Sequence, residues 1–342
     1  MPRPFDDDYP GDLPDDPQGI PEEDLWFLPG PMEDDDDPLG QPLPRADRRA
    51  LFEPDEWRAA EQALAGPLAG LSLAFGELDL RLRQGPPGLR LRLALQEVAT
   101  LSWWAGTRFP VERLGLWLAL RVGSTAESEA ALARAGWATR RLTHGPTPSQ
   151  DIGGFLDRPG ESIEDLTVLL RSLTGLHPVT QAAVLFQAWR LIGPETARDL
   201  EAAVLAARHG AAMSRLPGQG APFLPLATGG PGGLQGQGEP RRKLAAWIAG
   251  AEQSVLAALL HLERLTAWRQ RAEEATGDLS GRVPALLLDV IEGWPLVAAP
   301  LAETETGASR AAVQRNLDRL TERGLIEEIT GQGRFRLWRA RL

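Results

Sequence analysis

Residues 309–342 read SRAAVQRNLDRLTERGLIEEITGQGRFRLWRARL, and how this stretch folds decides the reading of the whole chain. Ser309 is placed to N-cap a helix. Its apolar positions Ala312, Val313, Leu317 and Leu320, with Asn316 borderline, fall three and four apart, so one face turns inward. The other face carries Arg310, Gln314, Arg315 and Asp318, with Arg319 and Arg323 at its edges, and Gly324 stands at the usual C′ position.

Beyond the helix, Leu325 to Ile329 and Arg334 to Trp338 flank the turn Thr330-Gly331-Gln332-Gly333, which predicts a β-hairpin. Alternation puts Phe335 and Leu337 against the helices and Arg334 and Arg336 on the outer edge. Upstream, Val283 to Glu292 predicts a helix, and Leu296 to Thr306 a second, short one before the Gly307-Ala308 turn. Helix, helix, turn, helix and hairpin together make a winged helix-turn-helix over 279–342.

Charge agrees with that reading. From Ser309 onward eight arginines face four acids, although the whole chain carries −11. A nucleic-acid surface needs a local cationic field rather than a positive total, because phosphate contacts are short-ranged in salt. Double-stranded DNA is therefore the expected partner. A groove or adjacent phosphate would be met by Arg310, Gln314, Arg315 and Arg319, the helix N-terminus held by Ser309 would face a phosphate, and Gln332, Arg334 and Arg336 would belong to the wing. A protein-interaction module is the competing reading of the same motif.

The negative charge sits at the other end. Residues 1–37 hold fourteen acids against Arg3 alone, so the remainder of the chain is close to neutral. With prolines throughout, residues 1–45 read as a disordered acidic tail. Inside it Leu25, Trp26 and Phe27 form an aromatic and aliphatic cluster of the kind that docks in a groove, of a partner or, with the tail folded back on the basic wing, in competition with DNA. A solubilising tail with one local contact is the plainer alternative.

Composition bounds what remains. No cysteine excludes disulfides and thiolate metal sites, and His144, His177, His209 and His261 show no zinc-ligand spacing. No cofactor is expected. The N-terminus lacks a basic-then-apolar leader, and no run approaches the roughly twenty apolar residues of a membrane span, so a cytoplasmic protein with no membrane partner is expected. Lys243 is the sole lysine, which genomic base composition explains more simply than phosphate recognition does.

Residues 46–276 show helical periodicity without strand patterns, an all-α body. Predicted helices cover Asp55 to Arg83, Leu89 to Trp104, Val111 to Val122, Ala126 to Thr143, Ser162 to Leu173, Pro178 to Ile192, Glu195 to Arg208 and Leu244 to Ala275. The last leads straight into the winged helix and is a candidate homodimer surface. The Gly- and Pro-dense stretch 217–240 reads as a loop, and its part 229–238, which lacks the Lys-Ser/Thr of a P-loop, as a linker. No G-x-S-x-G elbow is present. Trp103, Trp104, Trp117 and Trp137 read as core rather than ligand pocket. His177 reads as a helix N-terminal feature, and Arg140 and Arg141 as partners of a helix C-terminus.

The order of the helix 97-EVATLSWWAGT-107, then 176-LHPVTQAA-183 running into Ile192-Gly193-Pro194, then a C-terminal winged helix, resembles Fic proteins, which transfer AMP to hydroxyl groups. The closing Thr330-Gly331-Gln332-Gly333-Arg334-Phe335-Arg336-Leu337-Trp338 is similar to the ending of Fic-related bacterial proteins of unknown function common in rhizobia. The resemblance implies a Fic-like helical body without catalysis. Gly193 stands where that family has its general-base histidine, Pro194 matches, and Glu195 replaces a phenylalanine. Arg198-Asp199-Leu200 fall on the Gly-Asn-Gly phosphate turn and Glu201 on the phosphate-clamping arginine. The family's self-inhibitory serine and glutamate fall on Leu101 and Ala105, ahead of Gly106-Thr107. A missing base and an anionic side chain at the phosphates leave no route to transfer. The expectation is a non-enzymatic, DNA-binding transcriptional regulator. A protein-binding adaptor and a divergent nucleotide-binding transferase are the alternatives.

Overall fold

The computed structural model describes residues 52–120, 126–195, 198–214, 216, 218–330 and 336–342. The tail, with Leu25, Trp26 and Phe27, lies outside the described residues, as do Gln332 and Arg334. What is described is mostly helical. Helices α1 (Pro54–Ala63), α2 (Ala65–Gln84), α3 (Gly88–Trp104), α4 (Val111–Leu120) and α5 (Ala126–Thr143) are followed by α6 (Ile152–Leu156), α7 (Glu161–Ser172), α8 (Pro178–Ile192) and α9 (Arg198–Gly210). Then come α10 (Pro240–Thr276), α11 (Val283–Gly293), β1 (Val297–Ala298), α12 (Ala299–Thr306), α13 (Arg310–Glu322), β2 (Ile326–Glu328) and β3 (Leu337–Ala340).

The body is built around the α8/α9 pair. On α9 the run Ala202 to Ala207 is fully buried at every position, so the middle of this helix is apolar all round and sits at the centre rather than on a surface. His177 opens α8 by accepting from Val179 N at 3.2 Å, with Pro178 in the first turn where its missing N–H costs nothing. The long helix expected over Asp55 to Arg83 is two helices, bent by 78° at a break. Pro67 fits the first turn of α2, which permits the break just before it.

A second correction concerns 217–240. This stretch is no loose linker: Phe223, Leu224, Leu226, Ala227 and Leu234 are buried, and Pro231–Gln235 forms a 3₁₀ turn. It lies on α10 where two glycines meet, since a Cβ on Gly250 would stand 2.5 Å from Gly233 Cα.

Residues 47–342 form one compact unit, and α10 contributes to two cores within it. Its first part, from Leu244 to Leu265, packs in the body, while Trp268 and Ala272 pack with Leu287, Ile291, Val297, Val313, Leu317, Leu320 and Trp338. The C-terminal module therefore begins inside α10, before the 276–279 boundary suggested by the sequence. By length and composition α10 could cross a membrane, at mean hydropathy 1.2, contrary to the expectation of no such segment. Half of that window is buried, as in a core helix.

The module holds a three-stranded antiparallel sheet ordered β1-β3-β2, not a hairpin alone. Val297 pairs with Trp338, and Glu328 pairs with the same residue from the other side. Two-residue β1 lies in the stretch expected to be helical from Leu296 onward.

Candidate nucleic-acid interface

Helix α13 is held in place from three directions. Ser309 caps its start by accepting from Ala312 N at 3.4 Å, and Val313, Asn316, Leu317 and Leu320 form the buried stripe. Asn316 satisfies its amide locally, donating to Ala312 O at 2.8 Å. At the far end Gly324, at φ +70°, makes the left-handed turn a side chain would resist, and Trp268 Nε1 donates to Leu325 O at 2.8 Å.

On this frame the arginines divide into two groups. Arg310, Arg315 and Arg319 are exposed and have no acid within salt-bridge distance among the described residues. Arg310 and Arg319 are nine residues apart, about 14 Å along the helix axis. Arg323, Arg336 and Arg339 of the module are engaged. Arg323 grips Asp278 through both guanidinium nitrogens and reaches Ala275 O, which holds the Asp278 carboxyl well below the usual carboxylate range. Arg339 pairs with Glu327 at 2.6 Å.

Arg336 is the predicted contact that moves most. Its Nε bonds Glu328 at 2.6 Å, its Nη1 bonds Asp318 at 3.0 Å, and its guanidinium lies 4.9 Å from the Trp338 ring centroid. Hydrogen bonding to Glu328 and Asp318, against burial, raises its pKa. The cause is strand register. Trp338 and Ala340 are the buried positions of β3, so Arg336 shares their parity and Leu337 does not. The alternation read from sequence was one residue out of phase, and a one-residue shift exchanges the two faces of a strand. Gln314 is tied into the same network, donating to Asp318 at 2.9 Å and leaving it half-buried.

In the body, positions compared with the Fic motif lie at helix ends and in internal contacts. Gly193 caps α8, and Arg198, Asp199 and Leu200 begin α9. Asp199 pairs with Arg190 at 2.7 Å, and buried Glu201 accepts from Arg158 at 2.6 Å and Trp189 Nε1 at 3.2 Å. Among the described residues no cluster of three potential metal ligands occurs.

Two charged residues of consequence were not singled out by sequence. Glu97, with no exposure, accepts from Leu226 N at 2.7 Å, Ala227 N at 2.9 Å, Thr228 N at 2.9 Å and Thr228 Oγ1 at 2.6 Å. Burial outweighs these donors and pushes its pKa up. Arg92 reaches from α3 to the end of α11, donating to Ile291 O at 2.9 Å and Trp294 O at 2.8 Å, and burial lowers its pKa to about 10. Beside it α3 and α11 touch through backbone, for a Cβ on Gly88 would stand 2.8 Å from Gly293 Cα. A charge at an inward position of a helical stripe was the signal for both residues. In comparisons with known proteins, no family model and no curated protein matches the chain.

Proposed function

We propose that the C-terminal module is a winged helix-turn-helix that binds double-stranded DNA, and that the protein is a transcriptional regulator. In this reading α12, the Gly307 turn and α13 are the helix-turn-helix, α13 lies in the major groove, and 329–336 is the wing. The observation that carries the reading is a contrast among the arginines: among the described residues Arg310, Arg315 and Arg319 on α13 have no acid within salt-bridge distance, while Arg323, Arg336 and Arg339 do. Unpaired guanidiniums on a helix capped at Ser309 match phosphates and base edges in chemistry. The helical body serves as a non-catalytic, Fic-like scaffold that fixes the module through Arg92 and α10.

Fluorescence anisotropy of the full chain with random-sequence duplex DNA across a salt series tests this. Binding that weakens steeply with salt is expected. Absence of binding at low salt moves the assignment to a protein-binding adaptor. That second reading has its own support in the Gln314–Asp318–Arg336 network, which occupies polar groups that a DNA-reading face would need.

A further inference from the structure

We propose that the cleft between α3, the segment 105–111 and α10 is a binding site for an aromatic carboxylate, a flat apolar body bearing one negative charge. The cleft encloses about 810 Å³, within the range of small-molecule sites. Its walls are apolar and partly open: Trp103 is 56 % exposed and Leu260 49 %, facing a lining that includes Phe109 and Val111. Trp103 is not core, as its place in a helical stripe suggested. A large indole left on a cleft wall is a surface on which a flat ligand stacks.

Charge selects the ligand's sign. Arg108 and Arg264 line the cleft, both exposed, and neither has an acid within salt-bridge distance among the described residues. Among the described residues no carboxylate lines the cleft. Arg108 stands 4.9 Å from the Trp103 ring centroid, so one guanidinium already sits beside the stacking surface. At the base lies His261, whose Nε2 accepts from Arg92 Nε at 3.2 Å and from the Gln96 amide at 3.1 Å. An arginine can only donate, so the imidazole proton resides on Nδ1. Burial, with Arg92 and Arg264 nearby, lowers its pKa to about 4, and the ring is neutral at pH 7. The cleft thus offers an aromatic wall and two guanidiniums, each a planar fork that matches the two oxygens of a carboxylate.

The same histidine ties the cleft to the C-terminal module. His261 holds Arg92, and Arg92 caps the last carbonyls of α11. A carboxylate on Arg264 beside His261 therefore steadies that cap, and α11 is the element that responds.

The test is calorimetric titration of the full chain with 2-naphthoate and with its uncharged amide, 2-naphthamide, together with hydrogen exchange of α11. Saturable binding of the acid, about tenfold tighter than the amide, is expected. Arg264→Gln and Arg108→Gln each remove about that factor for the acid alone. Trp103→Ala weakens acid and amide alike. All three side chains are exposed, so these variants fold, and circular dichroism verifies it. No saturable binding up to millimolar acid, equal affinity for acid and amide, or indifference to both arginine variants overturns the site. Slower exchange across 283–293 on binding supports the link through Arg92, and unchanged exchange with bound acid overturns that link alone. DNA plays no part in these measurements, so their outcome is separate from that of the DNA-binding reading.

Discussion

In the helical body Glu97 has no exposure and engages both oxygens with four donors, whereas on α13 Arg310, Arg315 and Arg319 are exposed with no acid within salt-bridge distance among the described residues. The two regions lie along one chain and are joined by one helix, yet they use charge in opposite ways. Inside the body a carboxyl group takes the place of secondary structure, supplying the hydrogen-bond acceptors that a Gly- and Pro-rich segment cannot provide for itself. Asp79 repeats the device, accepting from Ser214 Oγ at 2.9 Å and Ala221 N at 2.9 Å. A buried carboxyl group fully used by its neighbours has a folding role, and an exposed cation without a nearby acid is available to a ligand.

The strongest way to break this contrast is Glu97→Ala. It leaves three backbone N–H groups and a hydroxyl unpaired in the core, at a cost of about 3–5 kcal/mol. Urea denaturation followed by circular dichroism should show that loss, with Glu97→Gln intermediate because one amide oxygen still accepts. A stability within error of the parent would mean that residues 226–228 find other partners. Next comes Arg92→Met, which keeps the stem and removes the cap on α11, and should cost about 2–4 kcal/mol. Its loss should show first in hydrogen exchange across 283–293. Uniform exchange over the whole chain would mean that Arg92 supports the body in general and not the junction.

Helix positions were legible in the sequence because Gly and Pro bracket them: α8 starts at Pro178 behind its His177 cap, and α13 ends before Gly324 as its spacing requires. The burial of 217–240 was not legible. Local composition there matches a solvated linker, and what orders it is Glu97 and Asp79, more than a hundred residues away in the chain. Nor was the phase of β3. Phe335-Arg336-Leu337-Trp338 alternates acceptably in either register, and only the pairing of Trp338 with Val297 chooses one. On the candidate interface the exposed positions of α13 followed from helical period alone. Which arginines are occupied did not, because Asp278, Asp318 and Glu328 lie on three different segments.

Titration sharpens the contrast at the level of about 2 kcal/mol. His209 is 3 % exposed and donates Nε2–H to Gln181 Oε1 at 2.8 Å, an assignment fixed because the Gln181 amide nitrogen itself donates to Leu173 O and Leu176 O. Burial lowers its pKa from 6.5 to about 4. With the folded value below the unfolded one, the unfolded chain binds the extra proton between these limits. Stability from the neutral ring is then whole above about pH 6.5 and is lost as pH falls toward 4. At pH 5 the loss relative to pH 7 is roughly 2 kcal/mol. His209→Gln, which keeps an amide donor near the Nε2 position, should remove that share of the pH dependence between urea midpoints measured at the two values. An unchanged slope would assign the dependence to other groups, with His261 the first to examine.

The smallest effects separate the two kinds of arginine on the module itself. Arg315→Ala removes an unpaired cation from the outer face of α13 and should weaken cognate DNA by on the order of 1–2 kcal/mol, with a smaller loss on random duplex, while thermal stability stays near the parent's. Arg334→Ala, at a position the sequence reading assigns to the wing, should weaken all sequences alike and flatten the salt dependence. Arg336→Ala takes away a guanidinium already shared by Glu328 and Asp318. It should shift DNA affinity by no more than about 0.5 kcal/mol and act instead on the melting temperature, since a part-exposed pair contributes little but holds β3 to α13. Anisotropy and thermal melts on the three variants give opposite rankings if occupancy decides function. Equal affinity losses for Arg315→Ala and Arg336→Ala would mean that the internal pairs open on binding, and that the acids of the module, Asp318 and Glu328, act as displaceable placeholders for phosphate.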